Sequence, residues 1–123
     1  MEIAYSRWVD NLEYGLEKLN VPQDVKQDLE LAVRTLLSHF KENIRRVILF
    51  GSYAGGLYQP DSDIDIAVVL NVLPDLASRR AYKHAVDAER ELDFVFCTEE
   101  SLKSNILVYA HINRDGIVLY EQL

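Results

Sequence analysis

An α/β or α+β fold, with helices packed on a small mixed β-sheet, is predicted by three features of this chain. Apolar residues recur at helical spacing as far as Phe40; short runs rich in Val, Ile and Phe then take over; and polar segments with scattered apolar positions separate those runs. With 123 residues and 49% hydrophobic content, the chain can bury one core of ordinary size, and it has no low-complexity stretch to act as a linker. A single domain over residues 1–123 is expected, with N-terminal helices in 1–42 and a core in 45–120.

The elements follow in order. Val9, Leu12, Leu16 and Leu19 predict a first helix, and Val25, Leu29, Ala32, Val33, Leu36, Leu37 and Phe40 predict a stronger second one. Pro22 and Asp24 mark the start of the second, because proline is tolerated in a first turn and an acidic side chain there complements the helix dipole. The apolar stripes of these helices either face the core or offer a docking surface. Val47–Phe50, Ile64–Leu70 and Leu92–Cys97 are long enough for strands and too short for independent helices. The middle run is apolar at nearly every position after Asp65, which suits a central strand covered on both faces. Asp75–Arg90, with Leu76, Ala77, Ala81, Ala85 and Ala88 among charged residues, reads as a surface helix crossing over the sheet. Residues 99–113 predict another helix, with Leu102, Ile106 and Tyr109 to Ala110 on one side. Asp115-Gly116 then signals a turn before a last strand, Ile117–Tyr120.

Charge and composition exclude several function classes. A net charge of −7 argues against a broad nucleic-acid footprint, since phosphate backbones are gripped mainly by Lys and Arg, and it favours a basic partner protein. The pairs Arg45-Arg46 and Arg79-Arg80 are too short for a basic patch and read as solvated helix ends or faces. No apolar run reaches the roughly 18 residues of a membrane span, and the N-terminus lacks the regions of a signal peptide, so a cytoplasmic location without membrane contact is expected. The lone Cys97 lies in an apolar run and reads as an inert buried thiol. His39, His84 and His111 fall in predicted helices without metal-ligand spacing.

Chemistry concentrates between Arg45 and Leu70. A strand ends in Gly51-Ser52, ten residues follow, and Asp63 and Asp65 open the next strand. Residues two apart on a strand share a face, so these carboxylates project together, an arrangement favourable mainly with a cation between them. Mg²⁺ suits such a site, because it takes one or two carboxylates and completes its shell with water and substrate phosphates. Asp93, at the start of its own strand, supplies a third carboxylate if that strand pairs beside Ile64–Leu70. Three carboxylates can hold two ions, one activating an attacking hydroxyl and one bracing the leaving oxygens. Gly51 permits a tight turn, the backbone N–H groups after it face an anion, and the Ser52 hydroxyl adds a hydrogen bond. Ala54, Gly55 and Gly56 allow close backbone approach. The stretch is neither a Walker A loop nor a dinucleotide fingerprint. Each part also has a plainer reading: Gly-Ser as a capped turn, and Asp61-Ser62 as an acidic turn after Pro60. Tyr53 and Tyr58 either stack on a base or pack.

Together, Gly51-Ser52-Tyr53-Ala54-Gly55-Gly56, Ser62-Asp63-Ile64-Asp65-Ile66 and Leu92-Asp93-Phe94-Val95 resemble the signature of the DNA polymerase β-like nucleotidyltransferase superfamily. The resemblance covers about residues 45–120 and is strongest to the minimal nucleotidyltransferase (MNT) branch, the MntA-type antitoxins of HEPN/MNT pairs. It implies a palm-like mixed sheet flanked by helices, ATP or another NTP as donor, and two Mg²⁺ ions. It also implies transfer of a nucleoside monophosphate to a hydroxyl with release of pyrophosphate. By this resemblance Gly51 and Ser52 bind the triphosphate, Asp63 and Asp65 hold both metals, and Asp93 holds the catalytic metal and helps activate the acceptor. One departure is Gly55, where the family often has an arginine.

The implied partner is a HEPN-type ribonuclease toxin, adenylylated on a tyrosine or masked by binding, in a homo- or hetero-oligomer. Two alternatives stay open: the same chemistry on a small-molecule hydroxyl such as an aminoglycoside, and an antitoxin that acts by complex formation alone. The first lacks an evident second domain to form an acceptor pocket.

Overall fold

The computed structural model describes residues 16, 19–86, 88 and 90–122. Most of the first predicted helix therefore lies outside the described residues, although Leu16 and Leu19 are both buried. The second runs as α1, Gln23–Phe40, with Pro22 at its N-cap and Asp24 in its first turn. Its residues Val25, Leu29, Ala32, Val33, Leu36 and Leu37 are buried at the predicted spacing, so this stripe faces the core. A 3₁₀ turn, Lys41–Asn43, leads into strand β1, Ile44–Phe50. There follow the one-turn helix α2 (Ser52–Gly55), strand β2 (Ile64–Leu70), helix α3 (Leu76–Ala85) and strand β3 (Leu92–Cys97). Helices α4 (Glu99–Leu102) and α5 (Leu107–Asp115) and strand β4 (Ile117–Glu121) complete the order.

The strands form one mixed sheet in the order β3-β2-β1-β4. β1 is antiparallel to β2 and to β4, and β2 is parallel to β3, with α3 as the crossover that parallel pairing requires. β2 is central and buried at six of its seven positions, as its apolar run predicts. Alternation along the strands divides the core in two. On one face, Val47, Leu49, Ile64, Ile66, Val68 and Leu70 pack with α1 and Tyr82. On the other, Ile48, Phe50, Ala67, Val69 and Cys97 pack with Leu102 and Ile112 of α4 and α5. Tyr82 fixes α3 to α1 by donating its hydroxyl hydrogen bond to the Ala32 carbonyl at 3.0 Å. Cys97 is buried and its thiol pKa is pushed up to about 11 by desolvation, which makes it the inert residue expected.

Three sequence expectations are corrected. Residues 99–113 do not form one helix. Thr98 caps a short helix through its bond from the Ser101 N–H, the chain turns at Lys103 and Ser104, and a second helix starts after Ile106. Leu102 and Ile112 are buried, whereas Ile106, 57% exposed, and Ala110 face outward. Arg45 and Arg46 sit in β1 and not at a helix end, because pairing with β2 and β4 extends that strand back to Ile44. Arg46 is bound to Glu99 by two bonds of 2.7 and 3.0 Å. Finally, α3 stops at Ala85 rather than Arg90. No helix among the described residues is long and apolar enough to cross a membrane.

Candidate active site

β1 ends at Phe50, and Gly51 turns the chain into α2 with φ +76°, a conformation open to glycine and strained for other residues. A Cβ on Gly51 would lie 2.1 Å from the Asp65 Oδ2, so glycine is required twice, for its backbone and for the carboxylate pressed against it. Asp65 arrives there because it pairs with Phe50 across the β1–β2 ladder. Gly56 closes α2 in the left-handed region, its N–H donating to the Ser52 carbonyl. A Cβ on Gly55 or Gly56 would meet nothing within 4 Å, leaving this side of the turn open to an approaching ligand. The first N–H groups of α2 lack partners within the helix and remain available to an anion.

Asp63 stands immediately before β2 and is exposed, and Asp65 is half-buried one pleat further on. Parallel pairing sets Asp93 directly beside Asp65. A bond from the Ile64 N–H to the Glu91 carbonyl, 3.0 Å, aligns the two strand starts. Asp65 and Asp93 share the sheet face of Ala67, Val69 and Cys97, and Asp63 keeps the same alternation. The three predicted carboxylates are therefore brought to one end of one face, beside Gly51. Asp65 is held above the ordinary carboxylate range by burial first, then by the charges of Asp93 and Asp63. Asp93 is raised by desolvation, by the charges of Asp63 and Glu91 and by a hydrogen bond with Asp63, with Lys83 acting in the opposite direction.

Among the described residues no three His, Cys, Asp or Glu side chains form a ready-made metal cage. Their chemistry nonetheless fits Mg²⁺. The carboxylates are hard oxygen donors with excess negative charge, and the missing side chain at Gly51 leaves room for the Asp65 oxygen. Mg²⁺ needs only one or two carboxylates when water and phosphate oxygens supply the rest.

Local sequence does not reveal what holds this corner in place. Arg90 donates to the Asp24 carboxylate at 2.7 Å and to the Pro60 carbonyl, while its backbone N–H donates to the Asp28 carboxylate at 3.1 Å. One residue thus ties α1, the loop before Asp63 and the segment leading to Asp93. Its partners lie 30 to 66 positions away, beyond any spacing rule. Asp61 and Ser62 belong to a tight turn in which the Ser62 hydroxyl accepts from the Gln59 N–H, in line with the plainer reading. Tyr53 is buried and stacks on Tyr58 with ring centroids 4.6 Å apart, so these rings pack on each other.

The family model of the nucleotidyltransferase domain matches residues 29–113, which includes Gly51, Ser52 and all three carboxylates. The chain belongs to the nucleotidyltransferase domain family. A Methanocaldococcus jannaschii protein named "Putative protein adenylyltransferase MJ0604" is 35% identical over 94 residues, which is 72% of this chain and 90% of that protein. Among solved structures, a toxin-antitoxin complex with AMP-PNP is similar at 28% identity and TM-score 0.56, covering 74% of this nucleotidyltransferase and 72% of that chain. A mutant of the MntA-HpeT toxin-antitoxin complex is similar at 25% identity and TM-score 0.56, covering 76% and 72%. The expected mixed sheet with flanking helices is the fold that these neighbours share.

Proposed function

We propose that this nucleotidyltransferase transfers AMP from ATP to a hydroxyl of a partner protein, a HEPN-type toxin for which it is the antitoxin. The observation that carries the reading is the gathering of Asp63, Asp65 and Asp93 beside Gly51 on an open end of the sheet. Likeness to a protein named as an adenylyltransferase and to toxin-antitoxin structures supports the donor and the partner.

In this reading the acceptor oxygen bonds to the α-phosphorus, the bond from that phosphorus to the bridging oxygen breaks, and pyrophosphate leaves. Gly51 and Ser52 hold the triphosphate through backbone N–H groups and the serine hydroxyl. Asp63 and Asp65 would hold two Mg²⁺ ions, with Asp93 on the catalytic one, and bound Mg²⁺ would neutralise phosphate charge and lower the acceptor pKa. Asp93 would also help activate the acceptor by taking up its proton.

Incubation with ATP labelled in the adenosine part, Mg²⁺ and a HEPN-type protein encoded beside this chain should move label onto that protein and release pyrophosphate. A double substitution, Asp63→Ala with Asp65→Ala, should abolish transfer. If the double variant still suppressed toxicity in full, neutralisation by complex formation would replace this reading.

A further inference from the structure

β3 is an edge strand, and among the described residues no strand pairs with its outer side. Asp93, Phe94, Val95 and Phe96 all stay at least partly exposed, whereas the neighbouring β2 is buried at six of its seven positions. The register tells which backbone groups face outward. Ile64 stands opposite Leu92, and its N–H donates to the Glu91 carbonyl at 3.0 Å. In a parallel ladder alternate residues of one strand make both bonds to its neighbour, so Ile64, Ile66 and Val68 engage the peptide groups of residues 91, 93, 95 and 97. The N–H and C=O groups of Leu92, Phe94 and Phe96 therefore point away from β2, to the open edge.

A free row of donors and acceptors is a template for pairing, and edge strands are ordinarily blunted by a bulge, a lysine or a proline. The two edges of this sheet differ in that respect. β4 pairs with β1 through a register shift between Val47 and Ile48. β3 runs in unbroken register with β2 from Leu92 to Cys97, contains no lysine, proline or glycine, and carries one charge, Asp93. Only polypeptide backbone complements such a row, with a carbonyl for each N–H and an N–H for each carbonyl. Every protein carries that complement, so the edge selects the class of its occupant and asks nothing of its side chains.

The edge also leads directly to the carboxylates, because Asp93 lies on it between Leu92 and Phe94. An antiparallel strand bonded at Leu92, Phe94 and Phe96 meets Asp93 in the narrow, non-hydrogen-bonded kind of pair, with Cα atoms about 4.5 Å apart and side chains on one face. That face is the one that Asp63 and Asp65 share with Asp93. α3 lies over the opposite face, where Tyr82 packs, and its outer side with Arg80 and with Leu76, 63% exposed, is turned away from the cluster.

We propose that the open edge of β3 is the acceptor subsite. A loop or tail of the acceptor protein joins it in extended form as a fifth strand, antiparallel to β3. The side chain opposite Asp93 carries the hydroxyl whose oxygen bonds to the α-phosphorus as pyrophosphate leaves and whose proton passes to Asp93. This rests on the reading of the chain as a protein-modifying nucleotidyltransferase.

The test uses the full chain and the HEPN-type protein encoded beside it. Residue-resolved amide hydrogen exchange by NMR should show Asp93, Val95 and Cys97 protected in the free chain, and acceptor binding without ATP should slow Phe94 and Phe96 about tenfold or more. Phe96→Pro removes one outward N–H and spares the β2 ladder, since proline is tolerated on that side of an edge strand. Phe96→Leu is its control, losing the ring and keeping the N–H. In label transfer, KM for the acceptor should rise about tenfold in the proline variant and less than about twofold in the leucine variant, with Mg-ATP binding unchanged in both. If the proline variant does not fold, exchange in the wild type decides alone. Unchanged exchange at Phe94 and Phe96 in the acceptor complex, or equal KM in the two variants, would overturn the edge proposal. So would protection of these amides in a self-associated wild type without acceptor. Protection by the acceptor without label transfer would remove the catalytic reading and leave the pairing intact, and a wild type that does not bind this protein would overturn both.

Discussion

Two groups of aspartates in this fold are treated in opposite ways. Asp24 and Asp28 on α1 are answered by Arg90, whose guanidinium meets the first and whose backbone N–H meets the second. The bond to Arg90 holds Asp24 below the ordinary carboxylate range. Asp63, Asp65 and Asp93 repel one another, and Asp65 and Asp93 are held above that range. A protein of modest stability keeps a costly cluster of like charge where something else is to neutralise it, so the uncompensated group marks the candidate site and the compensated one braces the elements around it.

The contrast is broken most severely by neutralising one member of the uncompensated set. Asp65→Asn should lower adenylyl transfer by about a thousandfold, the several kcal/mol that metal coordination contributes to a transition state. The same change should raise the melting temperature of the metal-free protein, since it removes a half-buried repelling charge. A lower melting temperature would show that Asp65 is structurally satisfied. Gly51→Ala probes the space beside that carboxylate. A Cβ 2.1 Å from Asp65 Oδ2 on a backbone of φ +76° should cost about 2–4 kcal/mol by urea denaturation, with loss of transfer. Gly55→Ala, whose Cβ meets nothing, should stay within about 0.5 kcal/mol of wild type.

Arg90→Ala tests the compensated set. Losing the tether between α1 and the Pro60 loop should slow transfer about tenfold through misplacement of Asp63 and Asp93, with Arg90→Lys recovering part of the rate. Titration gives the smallest effect, and the two sets have opposite signs. Asp24 is lowered in the fold, so its contribution is present above its unfolded pKa and is lost as pH falls through the folded value. Asp65 and Asp93 are raised, so metal-free stability should instead fall as pH rises from their unfolded value through the folded one. Denaturation midpoints of wild type and Asp65→Asn across about pH 4 to 6 should diverge at the upper end, with the variant higher.

The candidate site was legible to a large degree because its signals are short-range. Strand alternation puts Asp63 and Asp65 on one face, a glycine at a strand end announces a turn, and an aspartate opening an apolar run is costly without a reason to be there. α1 was legible from periodicity, and β2 and β3, to the residue, from short runs rich in Val, Ile and Phe. The division of residues 99–113 was not, because a Thr98 cap and the bond from the Asn113 side chain to the Leu102 carbonyl at 2.7 Å decide it against a continuous apolar pattern. Arg90 was equally hidden, since an arginine after a charged stretch looks solvated until Asp24, Asp28 and Pro60 are folded against it.

By itself, the order of residues determined most of the elements, the central place of Ile64–Leu70 and the choice of three candidate carboxylates, all of which rest on short-range patterns: helical spacing, short apolar runs and acidic residues at their starts. Only the tertiary structure decided that those carboxylates share the open end of one sheet face, that Arg90 is set against another aspartate pair, and that α3 keeps an apolar and basic side exposed. The reason is physical: hydration and charge compensation depend on every group within a few ångström, and the fold draws those groups from parts of the chain that no local spacing connects.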